Sequence, residues 1–334
     1  MNDNCPEKEL SRKQNHAGFT LIELLVSVAT IGLLSAFLLP AVNRARETAR
    51  RATCTNHIRQ IGTAILNYES AHASFPTGGT TSQSGGFGFS WWVSILPYLE
   101  ERAVFEKLDR TSEVLGYIDA SLGNEWNHKL LNGKSFDVMA CPSAPEGLLL
   151  NTVTMRPMYV GISGSILHSK TKPKKHTYAG SGTYSSGGIL ARYKKVHSRQ
   201  IPSTSKTMMV AEQSDYCRRG SHSIDCLSDC SYGFAMGPAK RDWKHSKYSV
   251  VQSYDRGFNL TTLAYLPNHR EFQSEGIAGN CSPNRPSLSA HPGGINAVFA
   301  DGHVAFITDS IANVIWLRSA DRNKNVRVNS IAKN

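Results

Sequence analysis

His291 and Asp301 are the first pair in this chain whose types could run acid–base chemistry, the imidazole as general base and the carboxylate to orient it. A nucleophile must complete such a set, yet the sequence holds neither a Gly-x-Ser-x-Gly elbow nor a His-Glu-x2-His helix. The pair therefore reads as structural: Asp301 with Gly302 makes a turn, and His291 caps or hydrogen-bonds the entry to a hairpin. No enzymatic activity is expected. A second set, Cys217, His222, Asp225, Cys226, Asp229 and Cys230, falls within fourteen residues and can be drawn as a zinc site. Its Cys-x8-Cys-x3-Cys spacing fits no zinc module well, so disulfides are the expectation, with no metal and no cofactor.

The third chemical feature is one carboxylate in an apolar run. From Phe19 to Leu39 there are 21 residues whose only ionisable side chain is Glu23, enough to cross a hydrocarbon core of roughly 30 Å as one helix. A secretory signal peptide is argued against on three counts. The run exceeds a signal's apolar region of about 7–15 residues, no small-x-small site follows it, and a carboxylate lies within it. Burying that carboxylate costs on the order of 3 kcal/mol on insertion scales, so Glu23 needs a partner or a role.

Lys13-Gln14-Asn15-His16-Ala17-Gly18, followed by Phe19-Thr20-Leu21-Ile22-Glu23-Leu24-Leu25-Val26, resembles the class III leader of type IV prepilins and type II secretion pseudopilins. The resemblance implies cleavage between Gly18 and Phe19 by a membrane aspartyl prepilin peptidase, and methylation of the new Phe19 amine. Glu23, one helical turn on, can then pair with that ammonium or with a neighbouring subunit's during assembly. Further partners implied are other pseudopilins or pilus-like components, with the chain in the inner membrane and its ectodomain periplasmic.

A second resemblance covers nearly the whole chain. Cys54-x-Asn56-x2-Arg59-Gln60-Ile61-Gly62, Asn67-Tyr68, Phe75-Pro76, Ser90-Trp91, Leu96-Pro97-Tyr98-Leu99-Glu100, Cys141-Pro142-Ser143, and His291 nine residues before Asp301-Gly302 are similar to the DUF1559 family of pseudopilin-like proteins. That resemblance implies a Cys54–Cys141 disulfide tying the stem helix to the globular domain. It also places Glu212, after Met208-Met209-Val210, at a strand end, read as structural. Major pseudopilins can hold calcium near the C-terminus; Asp255, Asp301 and Asp309 are available here, but no dense acidic loop is present.

The formal net charge is +11, and the leader's Lys8, Arg12 and Lys13 balance its Asp3, Glu7 and Glu9, so the trimmed chain is equally basic. Such a field attracts anionic partners. The densest stretch, Lys170 to Lys206, holds Lys172, Lys174, Lys175, Arg192, Lys194, Lys195 and Arg199 interleaved with Tyr178, Tyr184 and Tyr193. A solvated loop face explains it, while a membrane-anchored module binding anionic glycan or nucleic acid is the alternative function. Removal of Cys5 with the leader leaves six cysteines, an even number suited to an oxidising compartment; Cys217, Cys226, Cys230 and Cys281 can form two bridges. Arg44, Arg46, Arg50 and Arg51 follow the apolar run and argue for the opposite orientation by the positive-inside rule, whereas Arg12 and Lys13 with the cysteines favour an outside ectodomain.

These features call for an α+β, pilin-like fold: a long N-terminal helix, transmembrane then stem, laid over an antiparallel sheet. The expected boundaries are a leader at 1–18, a transmembrane helix at 19–39, a stem helix at 40–76, an ectodomain at 77–320 and a frayed tail at 321–334. Pro40 should kink the helix without ending it. Ile58, Ile61, Ile65, Tyr68 and His72 form one apolar stripe. Trp91 to Asp109 reads as helical with a break at Pro97. Strands are expected at 155–162, 188–193, 207–212, 249–254 and 260–266. In the hairpin from Ile295 to Ile307, a two-residue turn at Asp301-Gly302 sets Phe299 opposite Val304 and Ala297 opposite Phe306, all on the stem-facing side.

Overall fold

The computed structural model describes residues 20–80, 87–111, 116–145, 154–168, 172–176, 180–239, 257–273, 276–277 and 282–323, without the side chains of 122, 172–176, 180–181 and 239. The chain divides into two units, Met1–Thr48 and Ala49–Asn334. Helix α1 (Leu21–His72) begins in the first and ends in the second, carrying Pro40 inside it without interruption. In the first unit its large apolar side chains are exposed all round, from Leu21 at 79% to Leu39 at 68%. A helix of that kind is stable in lipid, where no aqueous face is needed.

Within the second unit α1 buries Cys54, Ile58, Ile61, Gly62, Ala64 and Ile65, spacings of three and four that lay one face on the core. The stripe does not stay buried to its end: Tyr68 is half-buried and His72 exposed. The helix stops at His72, and Ala73 adopts a left-handed φ of 54° before Phe75 pairs with Val196. Next come β1 (Phe87–Phe89), α2 (Trp91–Ile95), a 3-10 turn over Leu96–Tyr98 and α3 (Arg102–Lys107), so the break falls at Pro97 as read from sequence. Helix α4 (Glu125–Leu131) leads to β2 (Tyr159–Ser165), β3 (Lys172–His176) and β4 (Gly180–Tyr184). The remaining elements are β5 (Met208–Glu212), β6 (Cys217–Arg219), β7 (His222–Ile224), β8 (Met236–Ala239), β9 (Leu260–Leu263), β10 (Gly294–Phe299), β11 (Val304–Thr308) and α5 (Asn313–Ser319).

The central sheet has the order β11-β10-β5-β2-β9. It is mixed rather than wholly antiparallel, because β9 joins β2 in parallel. Pairs β1-β8, β3-β4 and β6-β7 are separate antiparallel ribbons. The expected strand at 188–193 is instead a run of bends, whose Ile189, Leu190 and Ala191 are nonetheless fully buried. The one expected at 249–254 lies outside the described residues.

The β10–β11 register corrects the sequence expectation by one residue. Val298 faces Val304 and Asn296 faces Phe306, while Ala297 faces Ala305. The loop has three residues, Ala300 to Gly302: Phe299 O accepts from Gly302 N, Phe299 N donates to His303 O, and Gly302 takes φ 87°. That is a type I turn closed by a left-handed glycine, so one more residue is spent in the loop than a two-residue turn needs. Because side chains alternate, the slip moves Ala297 and Phe299 off the stem side. Val298 packs with Ile58, Ile61 and Ile65 of α1, whereas Ile295, Ala297 and Phe299 join Val160, Ile162, Met208 and Trp316 on the opposite side. Helix α5 covers that second face, with the indole of Trp316 donating to Tyr265 O at 2.7 Å.

The tail also differs from expectation at its start. Asp321 is buried and accepts from Ser165 N at 3.1 Å and from Ser165 Oγ at 2.5 Å, and Arg322 N donates to Gly187 O at 2.9 Å. Residues 324–334 lie outside the described part.

Candidate functional site

On the stem-facing side of the sheet, Tyr159, Glu212 and Asn296 stand in one row, since Tyr159 pairs with Glu212 and the β10–β5 register brings Asn296 alongside. Alternation along β5 turns Glu212 the same way as Val210, toward α1, where the side chain is fully buried. A carboxylate there must be satisfied by the fold itself. Asn296 N donates to Glu212 Oε2 at 2.8 Å, Ser289 Oγ to the same oxygen at 3.0 Å, and Asn296 Nδ2 to Oε1 at 3.1 Å.

Glu212 Oε1 is also 3.5 Å from His291 Nε2, and His291 Nε2 lies 3.6 Å from Cys141 Sγ. Cys54 Sγ, from α1, is 2.6 Å from Cys141 Sγ, both cysteines being unbridged. The four side chains are 0–2% exposed, and one potential ligand atom from each falls within 4.8 Å of all the others. Four separate elements supply them: α1, the turn after a 3-10 helix at Asp137–Met139, the end of β5, and the segment entering β10. His57 Nδ1 at 2.9 Å from Ala140 O and Tyr159 OH donating to Cys54 O at 3.3 Å tie the Cys141 turn and the sheet to the helix.

Electrostatics follow from burial and these contacts. The Cys54 hydrogen bond pulls the Cys141 thiol down to about 5 against the opposing effect of burial, helped by His291 and the Ser143 N–H. The same bond, then burial, pushes Cys54 up. Burial, then the neighbouring Cys141 charge, raises Glu212, with the Asn296 donors resisting.

At the other end of the chain, Thr20 and Glu23 form a reciprocal cap on α1. Thr20 N and Oγ1 each donate to Glu23 Oε2 at 2.9 Å, and Glu23 N donates to Thr20 Oγ1 at 3.3 Å. This is a capping box, which satisfies helix N–H groups that lipid would leave bare. Gly18 and Phe19 lie outside the described residues.

Residues 43–313 match the family described as a protein of unknown function, DUF1559. The chain belongs to the DUF1559 family. Residues 13–39 match the prokaryotic N-terminal methylation motif, which makes the DUF1559 chain a processed, type IV pilin- or pseudopilin-like subunit; among the described residues α1 is the one helix long and apolar enough to anchor it in a membrane. No curated protein and no solved structure gives a significant match.

The fold of this DUF1559 chain separates His291 from Asp301. Strand β10 lies between them, about 17 Å long at a rise of roughly 3.4 Å per residue. Asp301 stays in the turn, accepting from His303 N at 3.1 Å with His303 Nδ1 at 2.6 Å. The residues drawn as a zinc set are spent elsewhere: Cys217 and Cys226 form a disulfide, Cys230 is disulfide-bonded too, and Arg156 forks onto Asp229 at 2.7 and 2.9 Å while reaching Asp225 at 2.6 Å. His222 stands exposed on β7 and Cys281 lies outside the described residues. Of the calcium candidates, Asp309 accepts from Asn268 Nδ2 at 2.7 Å at the far end of β11 from Asp301, and Asp255 is outside the described residues.

Much of the basic stretch falls outside the described part, including the side chains of Lys172, Lys174 and Lys175. Lys170 and Tyr178 are outside it, and Arg192 lies over the rings of Tyr184 and Tyr193 at 4.3 and 4.9 Å. Two features escaped sequence reasoning. The Thr20-x-x-Glu23 spacing is itself a capping signal that sequence alone could have yielded. Glu212 beside His291 had no local signal, because their partners come from four distant stretches.

Proposed function

We propose that this protein is a non-enzymatic pseudopilin-like subunit that joins a type II secretion or type IV pilus-like assembly after trimming by prepilin peptidase. The observation that carries the reading is the methylation motif over residues 13–39, which runs straight into a helix whose apolar side chains are exposed on every side. In this reading Gly18 is the last leader residue, Phe19 the new N-terminus, and the ectodomain stands on the periplasmic side of the inner membrane. The non-enzymatic part rests on the separation of His291 from Asp301. The intact mass and N-terminal residue of the chain from its own membrane test the proposal. An N-methylated Phe19 is expected, and Gly18→Ala should leave the longer precursor; an intact Met1 on the natural chain, or normal trimming of the variant, overturns it.

A second reading, a membrane-anchored module for an anionic glycan or nucleic acid, is favoured by a cleft of about 440 Å³ in the second unit. Tyr68, His72, Tyr98 and Phe105 offer rings to it, and Arg110 and Arg102 line it, the latter paired with Glu106 of the same lining at 2.8 Å. Rings stack sugars and bases while guanidinium groups meet anions. Retention of the full chain in detergent on heparin or DNA, falling with salt, supports this reading; no retention at low salt removes it.

A further inference from the structure

We infer that Cys54, Cys141, Glu212 and His291 in their dithiol state form a binding site for a thiophilic divalent cation, Zn2+ foremost, that fastens the stem helix to the sheet. Two sulfurs, one imidazole nitrogen and one carboxylate oxygen are a complete ligand set for tetrahedral zinc. With Zn–S near 2.3 Å and Zn–N or Zn–O near 2.1 Å, the edges of such a tetrahedron are about 3.6 Å for S to N and about 3.4 Å for N to O. The Cys141 Sγ to His291 Nε2 distance is 3.6 Å and the His291 Nε2 to Glu212 Oε1 distance 3.5 Å. Of these three separations the sulfur pair is the one that must open, from 2.6 Å to about 3.8 Å.

The outer contacts fit the same purpose. Glu212 is held by Ser289 Oγ and both nitrogens of Asn296, so the carboxylate is oriented by the sheet before any ion arrives. Four protein ligands leave no open position, which is the form of a structural site rather than a catalytic one. A Cys54–Cys141 disulfide would use two of the four groups and leave the buried imidazole and carboxylate facing each other at 3.5 Å. Burial of both sulfurs shields a metal-bound pair from oxidants. The remaining described cysteines, Cys217, Cys226 and Cys230, are already oxidised and stand apart from the set.

The test uses the full chain in detergent, mildly reduced, stripped with a chelator under argon and titrated with Co2+. One equivalent is expected to give tetrahedral d–d bands with thiolate-to-cobalt charge transfer, displaced by Zn2+. Cys54→Ser and Cys141→Ser should lose the charge-transfer band and His291→Ala should bind at least tenfold more weakly, while Cys217→Ser/Cys226→Ser keeps both. Should a variant fail to fold, Zn2+ protection of Cys54 and Cys141 from alkylation in the natural chain decides instead. Absence of the charge-transfer band, its survival in Cys54→Ser, or alkylation at the same rate with and without Zn2+ overturns the inference.

Discussion

Asp321 shows how one side chain carries a pH dependence. Burial lifts its carboxyl to about 6 from an ordinary 3.8, with the Ser165 donors opposing the rise. A folded value above the unfolded one means that the native state binds the proton more tightly. The stabilisation is therefore complete below about pH 4 and lost as the pH rises through about 6. The range amounts to something on the order of 3 kcal/mol. Asp321→Asn should flatten this part of the profile, so that thermal midpoints of variant and natural chain diverge between pH 4 and 6.5. Parallel profiles would assign the dependence to other groups. Arg156 is the opposite case, a buried cation already matched by Asp225 and Asp229. Deleting it by Arg156→Ala removes the cation that pairs directly with both carboxylates and should cost about 3–5 kcal/mol in chemical unfolding.

Between elements, the deciding contact is the approach of α1 to β10. Gly62 lies so near the sheet that a Cβ there would stand 2.5 Å from Val298 Cγ2. Glycine costs a helix about 1 kcal/mol relative to alanine, so on propensity alone Gly62→Ala ought to stabilise. Overpacking against a central strand costs about 1–3 kcal/mol and should win. A lower urea midpoint is expected, restored in part when Val298→Ala makes room; a raised midpoint in the single variant would mean that helix and sheet yield freely. The same interface explains the register. Thr55 Oγ1 donates to Asn296 Oδ1 at 3.3 Å and Arg51 lies over the Phe306 ring, contacts that exist only with Asn296 and Phe306 on the stem side.

At the scale of the whole molecule, an all-round apolar first half of α1 and a folded second unit are the two parts that a pilin-like subunit requires. Glu23 belongs to this scale because its cap is complete within one chain and its proposed second role lies between chains. Glu23→Ala should still be trimmed at Gly18, since the leader is untouched, but should fail to co-assemble. Cross-linking of native membranes measures this directly: oligomer ladders equal to those of the natural chain would remove the assembly role.

What the sequence by itself determined is what depends on near neighbours. The apolar length after Phe19, the Thr20-to-Glu23 spacing, the break at Pro97, the turn at Asp301-Gly302 and the three-and-four stripe of α1 each involve residues a few positions apart, where chain connectivity alone fixes the geometry. The tertiary structure decided what depends on which distant stretches meet. Whether the β10–β11 loop takes two residues or three is a difference of one local hydrogen-bond pattern, resolved by how Asn296, Val298 and Phe306 pack on α1. The cluster of Cys54, Cys141, Glu212 and His291 is the clearest instance. Its members are some 70–90 residues apart in turn, so no spacing links them, and only the laying of α1 across the sheet brings four buried ligand atoms to one point.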